Sequence, residues 1–243
     1  MKVIIAKNYD EVSKAAFDVM KEYLKPGKVL GLATGSSPIG LYQNMIKDHQ
    51  ENGTSYAEIK SFNLDEYVGL PITHKESYYN FMHEQLFNHI DIKEENVHVP
   101  SGLGDNLPEK CAEYDKMIAE NPVDIQLLGI GSNGHIGFNE PGTSFEAGTH
   151  VTDLTESTRH DNTRFFEPLN EEVPTQACTM GPKTIMNARN ILLVATGENK
   201  AAAIKAMLEG PVSENCPASI LQKHASVTVV IDEAASKLLE KQY

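Results

Sequence analysis

The sequence predicts an α/β fold, an open and mostly parallel sheet with helices on both faces, and three observations predict it. Short apolar runs recur along the chain: VIIA at 3–6, VLGLA at 29–33, DIQLLGI at 124–130, ILLVAT at 191–196 and SVTVVI at 226–231. They are apolar at consecutive positions, as in strands covered on both faces, rather than at alternate ones. Longer segments with helical spacing separate them, and this alternation is the pattern of parallel strands joined by crossovers.

In chain order, the first strand leads into a helix over 9–23 whose Val12, Ala15, Ala16, Val19 and Met20 share one stripe. The second strand runs into the turn TGSSP, where Ser37 is expected as N-cap and Pro38 as the first helical residue. In SFNLDEYVGL, Phe62 and Leu64 read as one strand face, and Asp65 and Glu66 arrive as that strand ends. DIQLLGI opens into the glycine-rich GSNGHIGFNEP, and ILLVAT passes through Gly197 into a helix at 201–210 closed by Gly210. The polar stretch 149–174 interrupts the alternation and is expected to form a lid.

A chain of 243 residues, 40% of them hydrophobic, can bury one large core, so residues 1–243 are expected to form a single domain. The formal net charge of −13 argues against nucleic acid or an anionic membrane as partner, since both would repel the chain at long range. An anionic substrate must then meet a local basic pocket. Cys111, Cys178 and Cys216 are odd in number, far apart and without CxxC spacing, which speaks against a disulfide framework or a structural zinc site. With no signal peptide or bilayer-spanning run in the pattern, a cytoplasmic location is expected.

Ligands of open α/β sheets bind beyond the carboxyl ends of the strands, and four strand ends carry chemistry here. Free N–H groups at a helix start, beside the Ser36 and Ser37 hydroxyls and Gly35, would hold a phosphate, although ordinary capping accounts for the same residues. Asp65 could reach into the crevice as a general base, or belong to a solvated acidic turn. Gly131 and Gly134 let His135 project at the sheet edge, where Glu140 can return to hydrogen-bond its ring and prepare it for proton exchange. The alternative is a structural histidine in a tight turn. Lys200, in the first turn of its helix, opposes the macrodipole unless an anion lies between them, and the polar stretch adds Arg159 and Arg164.

LGLATGSSP, FNLDEY, GSNGHIGFNEP and TGENKA, in that order, closely resemble the glucosamine-6-phosphate deaminase (isomerising) family, and the likeness runs from the first strand to the last helix. The resemblance implies the Rossmann-like open sheet shared with ribose-5-phosphate isomerase and 6-phosphogluconolactonase. It also implies conversion of glucosamine 6-phosphate to fructose 6-phosphate and ammonia, with no metal or redox cofactor. By the same likeness, His135, supported by Glu140 and Asn133, opens the sugar ring, and Asp65 moves the proton from C2 to C1. The phosphate lies on Gly35, Ser36 and Ser37, with Lys200 and Arg164 as cationic clamp.

The chain departs from its relatives at two places. Many of them have aspartate where Asn133 stands, and an amide can orient His135 but adds no charge. Hexameric members hold an effector phosphate with an arginine and a lysine where this chain has His150 and Thr152, flanked by Glu146 and Asp153. The chain also stops at Tyr243, without the extension that helps build that effector site. A monomer or small homo-oligomer without effector activation is therefore expected. Rival readings are a 6-phosphogluconolactonase, which would lack the Asp65 motif, a sugar-phosphate sensor, for which no DNA-binding segment is visible, and a ribose-phosphate isomerase.

Overall fold

The computed structural model describes residues 1–243. Its elements in chain order are β1 (Lys2–Ala6), α1 (Tyr9–Met20), β2 (Val29–Leu32), α2 (Ile39–Asn52), β3 (Lys60–Asn63), β4 (Asp65–Tyr67), α3 (Tyr78–Gln85), β5 (Val97–His98) and α4 (Leu107–Glu120). They continue with β6 (Ile125–Leu128), β7 (His150–Asp153), α5 (Glu156–Phe166), β8 (Gln176–Thr179), α6 (Pro182–Met186), β9 (Ile191–Ala195), α7 (Ala201–Glu209), β10 (Val227–Asp232) and α8 (Glu233–Ser236).

Seven strands form one sheet in the order β1-β10-β9-β6-β2-β3-β5, and every pairing in it is parallel. Every residue of β2, β6 and β9 is buried, so these central strands are covered on both faces. The edges differ from that expectation: β1 pairs only with β10 and leaves Ile5 42% exposed, and β5 is two residues long. An edge strand has no neighbour to cover its outer side.

Beyond the first sheet lies a second, which the apolar runs do not reveal. It is three-stranded and antiparallel, in the order β4-β8-β7. Its strands are short and mixed in polarity, so neither the alternating nor the continuous apolar pattern marks them. A small apolar cluster of Tyr67, Phe138, Leu154, Phe166, Val173 and Ala177 lies beneath it, and fixes the 149–174 stretch, with β7 and α5, against the end of the main sheet.

Several helix ends also differ from expectation. α1 stops at Met20 and a 3-10 turn, Lys21–Tyr23, completes the segment. α2 begins at Ile39, with Pro38 rather than Ser37 at the cap and no side-chain cap bond, because Tyr9 Oη takes the Gly40 N–H at 2.8 Å instead. Gly210 closes α7 with extended rather than left-handed backbone.

The chain order reverses between β2 and β6. From β2 the strands step outward to β3 and β5, whereas from β6 they step the other way to β9 and β10. Such a switch point opens a crevice between the two diverging loops. The close approach of β2 and β6 depends on Gly31, which sits opposite Gln126, whose Oε1 lies 2.0 Å from where a β-carbon on Gly31 would stand. Gln126 is buried and donates to the Leu127 carbonyl at 2.9 Å, so it has no easy alternative position. Gly31→Ala is therefore expected to destabilise the fold by about 1–3 kcal/mol, the usual cost of overpacking, read as a lowered denaturation midpoint.

Candidate active site

The loop after β2 supplies the first wall of the crevice. Gly35 has φ +88°, a conformation that L side chains rarely adopt, and it turns the chain sharply beyond the strand. The N–H groups of Thr34, Gly35, Ser36 and Ser37 donate to no acceptor within the chain, while Tyr9 Oη donates to the Ser36 carbonyl at 2.9 Å and pins the turn. A row of unused donors next to the start of α2 is an anion cradle.

Two cations face it. Lys200 follows β9 in the 3-10 turn Glu198–Lys200, just ahead of α7, and the Asp232 carboxylate fixes the preceding Gly197 N–H at 3.0 Å. Burial lowers the Lys200 ammonium from the ordinary lysine range; Asp161 opposes this and Arg164 adds to it. Arg164, on α5, lies 4.8 Å over the Phe165 ring. Neither cation forms an ion pair with a carboxylate. Arg159 turns away, donating to the Val173 carbonyl.

The loop after β6 carries His135. Its ring lies flat over Gly131, where a β-carbon would stand 2.3 Å from Cε1, so only glycine leaves room for the imidazole. Asn133 links the unit: its Oδ1 accepts the His135 N–H at 3.1 Å and its Nδ2 donates to Glu140 Oε2 at 2.6 Å. That second bond needs an amide, since an ionised aspartate has no proton to give. Glu140 Oε2 lies 3.5 Å from His135 Nδ1, an ion-pair contact too poorly aligned for a hydrogen bond, and Nδ1 is buried without a hydrogen-bond partner.

Glu140 is itself nearly enclosed. Its Oε1 accepts the hydroxyl of Thr158 and, at 3.3 Å, that of Thr155. Burial pushes its carboxyl up, but contact with the His135 imidazole and the hydrogen bonds from Thr158 and Asn133 outweigh that and hold it at about 2.

Asp65 heads β4 opposite Thr179, where Met180 N–H bonded to the Leu64 carbonyl at 2.7 Å fixes the strand crossing. Burial, with the Glu66 charge beside it, raises its carboxyl to about 8. Glu66 points the other way, accepting the N–H groups of Tyr67, Tyr78 and Tyr79 at 2.9–3.0 Å, and so anchors the start of α3. Gly137, at φ +57°, passes beside Asp65, and a β-carbon there would stand 2.8 Å from Thr179 Oγ1.

These groups meet around one cavity of about 220 Å³. Of the nine residues that the sequence singled out, Gly35, Ser36, Ser37, Asp65, His135, Arg164 and Lys200 line it, while Asn133 and Glu140 stand behind His135. Sequence reasoning missed Thr34, Tyr78, Thr158 and Asp161, which also line it. For Thr158 a signal existed: Thr155 N-caps α5 through the Thr158 N–H, so TEST is a helix start facing inward.

Proton transfer on an anionic small molecule is the chemistry such a crevice serves, which defines the class as an α/β acid–base enzyme. Family comparison narrows it: the model for glucosamine-6-phosphate isomerases and 6-phosphogluconolactonases matches residues 7–230, and the chain belongs to that family. It is 50% identical to the glucosamine-6-phosphate deaminase of Corynebacterium kroppenstedtii over 100% of this chain and 95% of that one. Identity to the enzyme of the same name from Clostridium perfringens strain 13 is 48%, covering 99% and 100%. Among solved structures, a monomeric glucosamine-6-phosphate deaminase superposes with a TM-score of 0.95 at 45% identity, covering 98% of this chain and 100% of that one. The 6-phosphogluconolactonase of Trypanosoma brucei, 21% identical with a TM-score of 0.79 over 98% of each chain, shares the fold.

The raised Asp65 has a measurable signature. A carboxyl raised from 3.8 to about 8 in the fold stabilises it fully below 3.8, and this stability is lost as pH rises through about 8. Asp65→Asn escapes the loss. Its melting temperature relative to wild type is expected to climb from pH 3.8 to about 8 and then level off. A pH-independent difference would show that Asp65 is not so perturbed.

Proposed function

We propose that this chain is a glucosamine-6-phosphate deaminase, converting glucosamine 6-phosphate and water to fructose 6-phosphate and ammonia in the breakdown of amino sugars. The observation that carries this reading is the placement of Asp65 and His135 on one cavity with two unpaired cations and a row of free N–H donors. Lactone hydrolysis requires no removal of a carbon-bound proton, whereas aldose–ketose conversion does, and Asp65 is a buried carboxyl with the reach to do it.

The phosphate seats on Gly35, Ser36 and Ser37 under Lys200 and Arg164. The His135–Glu140 pair, oriented by Asn133, moves a proton onto the ring oxygen and opens the sugar. The substrate's ammonium favours ionised Asp65 by offsetting its burial, which arms the base as the substrate arrives. Asp65 takes the C2 proton, giving an enolamine, and returns it at C1. Water then adds at C2 of the resulting imine and ammonia leaves.

The 149–174 segment serves as the lid, with α5 delivering Arg164 to the phosphate, and the whole chain acts as a single catalytic domain. The protein is cytoplasmic and works as a monomer or small homo-oligomer. The effector position offers a dianion little: His150 Nδ1 contacts the Gly148 carbonyl at 2.8 Å, and Lys183 lies 3.8 Å from Glu146.

Two variants separate base from clamp. Asp65→Asn is expected to abolish ammonia release while fructose 6-phosphate still binds, and Lys200→Ala to raise KM at least about tenfold through loss of a charge-assisted contact. Substantial turnover by Asp65→Asn would remove the assigned base. Initial rates of the wild type should follow a hyperbola in glucosamine 6-phosphate and ignore its N-acetyl derivative. A sigmoidal curve made hyperbolic by that compound would reveal an effector site.

A further inference from the structure

Glu140 touches two parts of the fold at once. Oε2 belongs to the loop after β6, through Asn133 Nδ2 at 2.6 Å and His135 Nδ1 at 3.5 Å. Oε1 belongs to α5, through the hydroxyls of Thr158 and, at 3.3 Å, Thr155. Proton accounting makes Thr158 the principal donor. Thr155 Oγ1 accepts the Thr158 N–H at 3.2 Å, and its single proton is divided between Thr158 Oγ1 at 3.0 Å and Glu140. The Thr158 hydroxyl, 7% exposed as a residue, has only the carboxylate as acceptor.

The same helix lines the cavity with Asp161 and Asn162, one turn further on, and with Arg164, nearly two turns on. A rigid helix that touches the phosphate side near one end and the Glu140 carboxylate near the other cannot move at one without moving at the other. We infer that Thr158 is a positioning residue, through which α5 sets the Glu140 carboxylate behind His135 and so ties seating of the sugar phosphate on Arg164 to the competence of the ring-opening pair. This rests on the deaminase reading for its substrate, but not for the bond itself.

The test compares Thr158→Val, which keeps the shape and loses the hydroxyl, with Thr158→Ser, which keeps the hydroxyl. In ammonia-release assays on glucosamine 6-phosphate, Thr158→Val should lower kcat about tenfold or more, the scale for losing a hydrogen bond to a charged group, with a smaller change in KM. Thr158→Ser should retain most of kcat. Carboxyl 13C NMR of the ligand-free protein gives a readout independent of turnover: Glu140 should titrate higher in Thr158→Val than in wild type, and as in wild type in Thr158→Ser. Equal falls of kcat in both variants, or an unmoved Glu140 titration in Thr158→Val, overturns the inference. If the wild type releases no ammonia the deaminase reading fails, and the Glu140 titration alone then decides whether Thr158 holds the carboxylate.

Discussion

The carboxylate of Glu140 is the contact on which the candidate site depends. It is buried, so each of its lone pairs must find a donor or leave the charge uncompensated, and the protein meets that demand from two separate chain segments. Asn133 comes from the loop after β6 and the threonines come from the start of α5, Thr155 lying 15 positions after Glu140. Satisfying one charge therefore folds the glycine-rich loop, aims the imidazole and seats the helix above the cavity.

Charge is distributed with similar economy. A chain of net charge −13 keeps Lys200 and Arg164 free of carboxylate partners at the mouth of one crevice. Some of its other cations pair with acidic neighbours, as Lys28 and Arg189 do with Asp124. The long-range field repels anions in general, and the local pair with the unused N–H donors of the 34–37 turn selects those that can reach it. On the proposed function, specificity for a phosphate ester would come from short-range geometry rather than from attraction at a distance.

Most of the main sheet was legible because β2, β6, β9 and β10 are almost wholly buried, and a strand with little solvent side is mostly apolar. The glycines around His135 were legible for a related reason: the ring occupies the space that any side chain on Gly131 would need. What stayed hidden depends on partners distant in sequence. The second sheet is built from strands three or four residues long whose polarity follows no period, so only pairing with β8 defines β4 and β7. The cap of α2 went elsewhere because Tyr9, 31 residues earlier, supplies the acceptor that Ser37 was expected to provide. Thr158 was passed over as one polar residue among many, and its role emerges only when the acceptor 18 residues back is known.

The depressed Glu140 has a consequence for the proton inventory of folding. Its carboxyl is held at about 2 against an ordinary 4.5, so the stability it contributes is present above 4.5 and drains away as pH falls toward about 2. Asp65 is displaced in the other direction, and its destabilising contribution grows only above 3.8. Near neutrality the two partly cancel, and the cavity holds one strongly acidic and one weakly acidic carboxyl at little combined expense to the fold. In acid the cancellation ends: Asp65 is already neutral, and once Glu140 takes up a proton near about 2 the tether between the glycine-rich loop and α5 loses its charge.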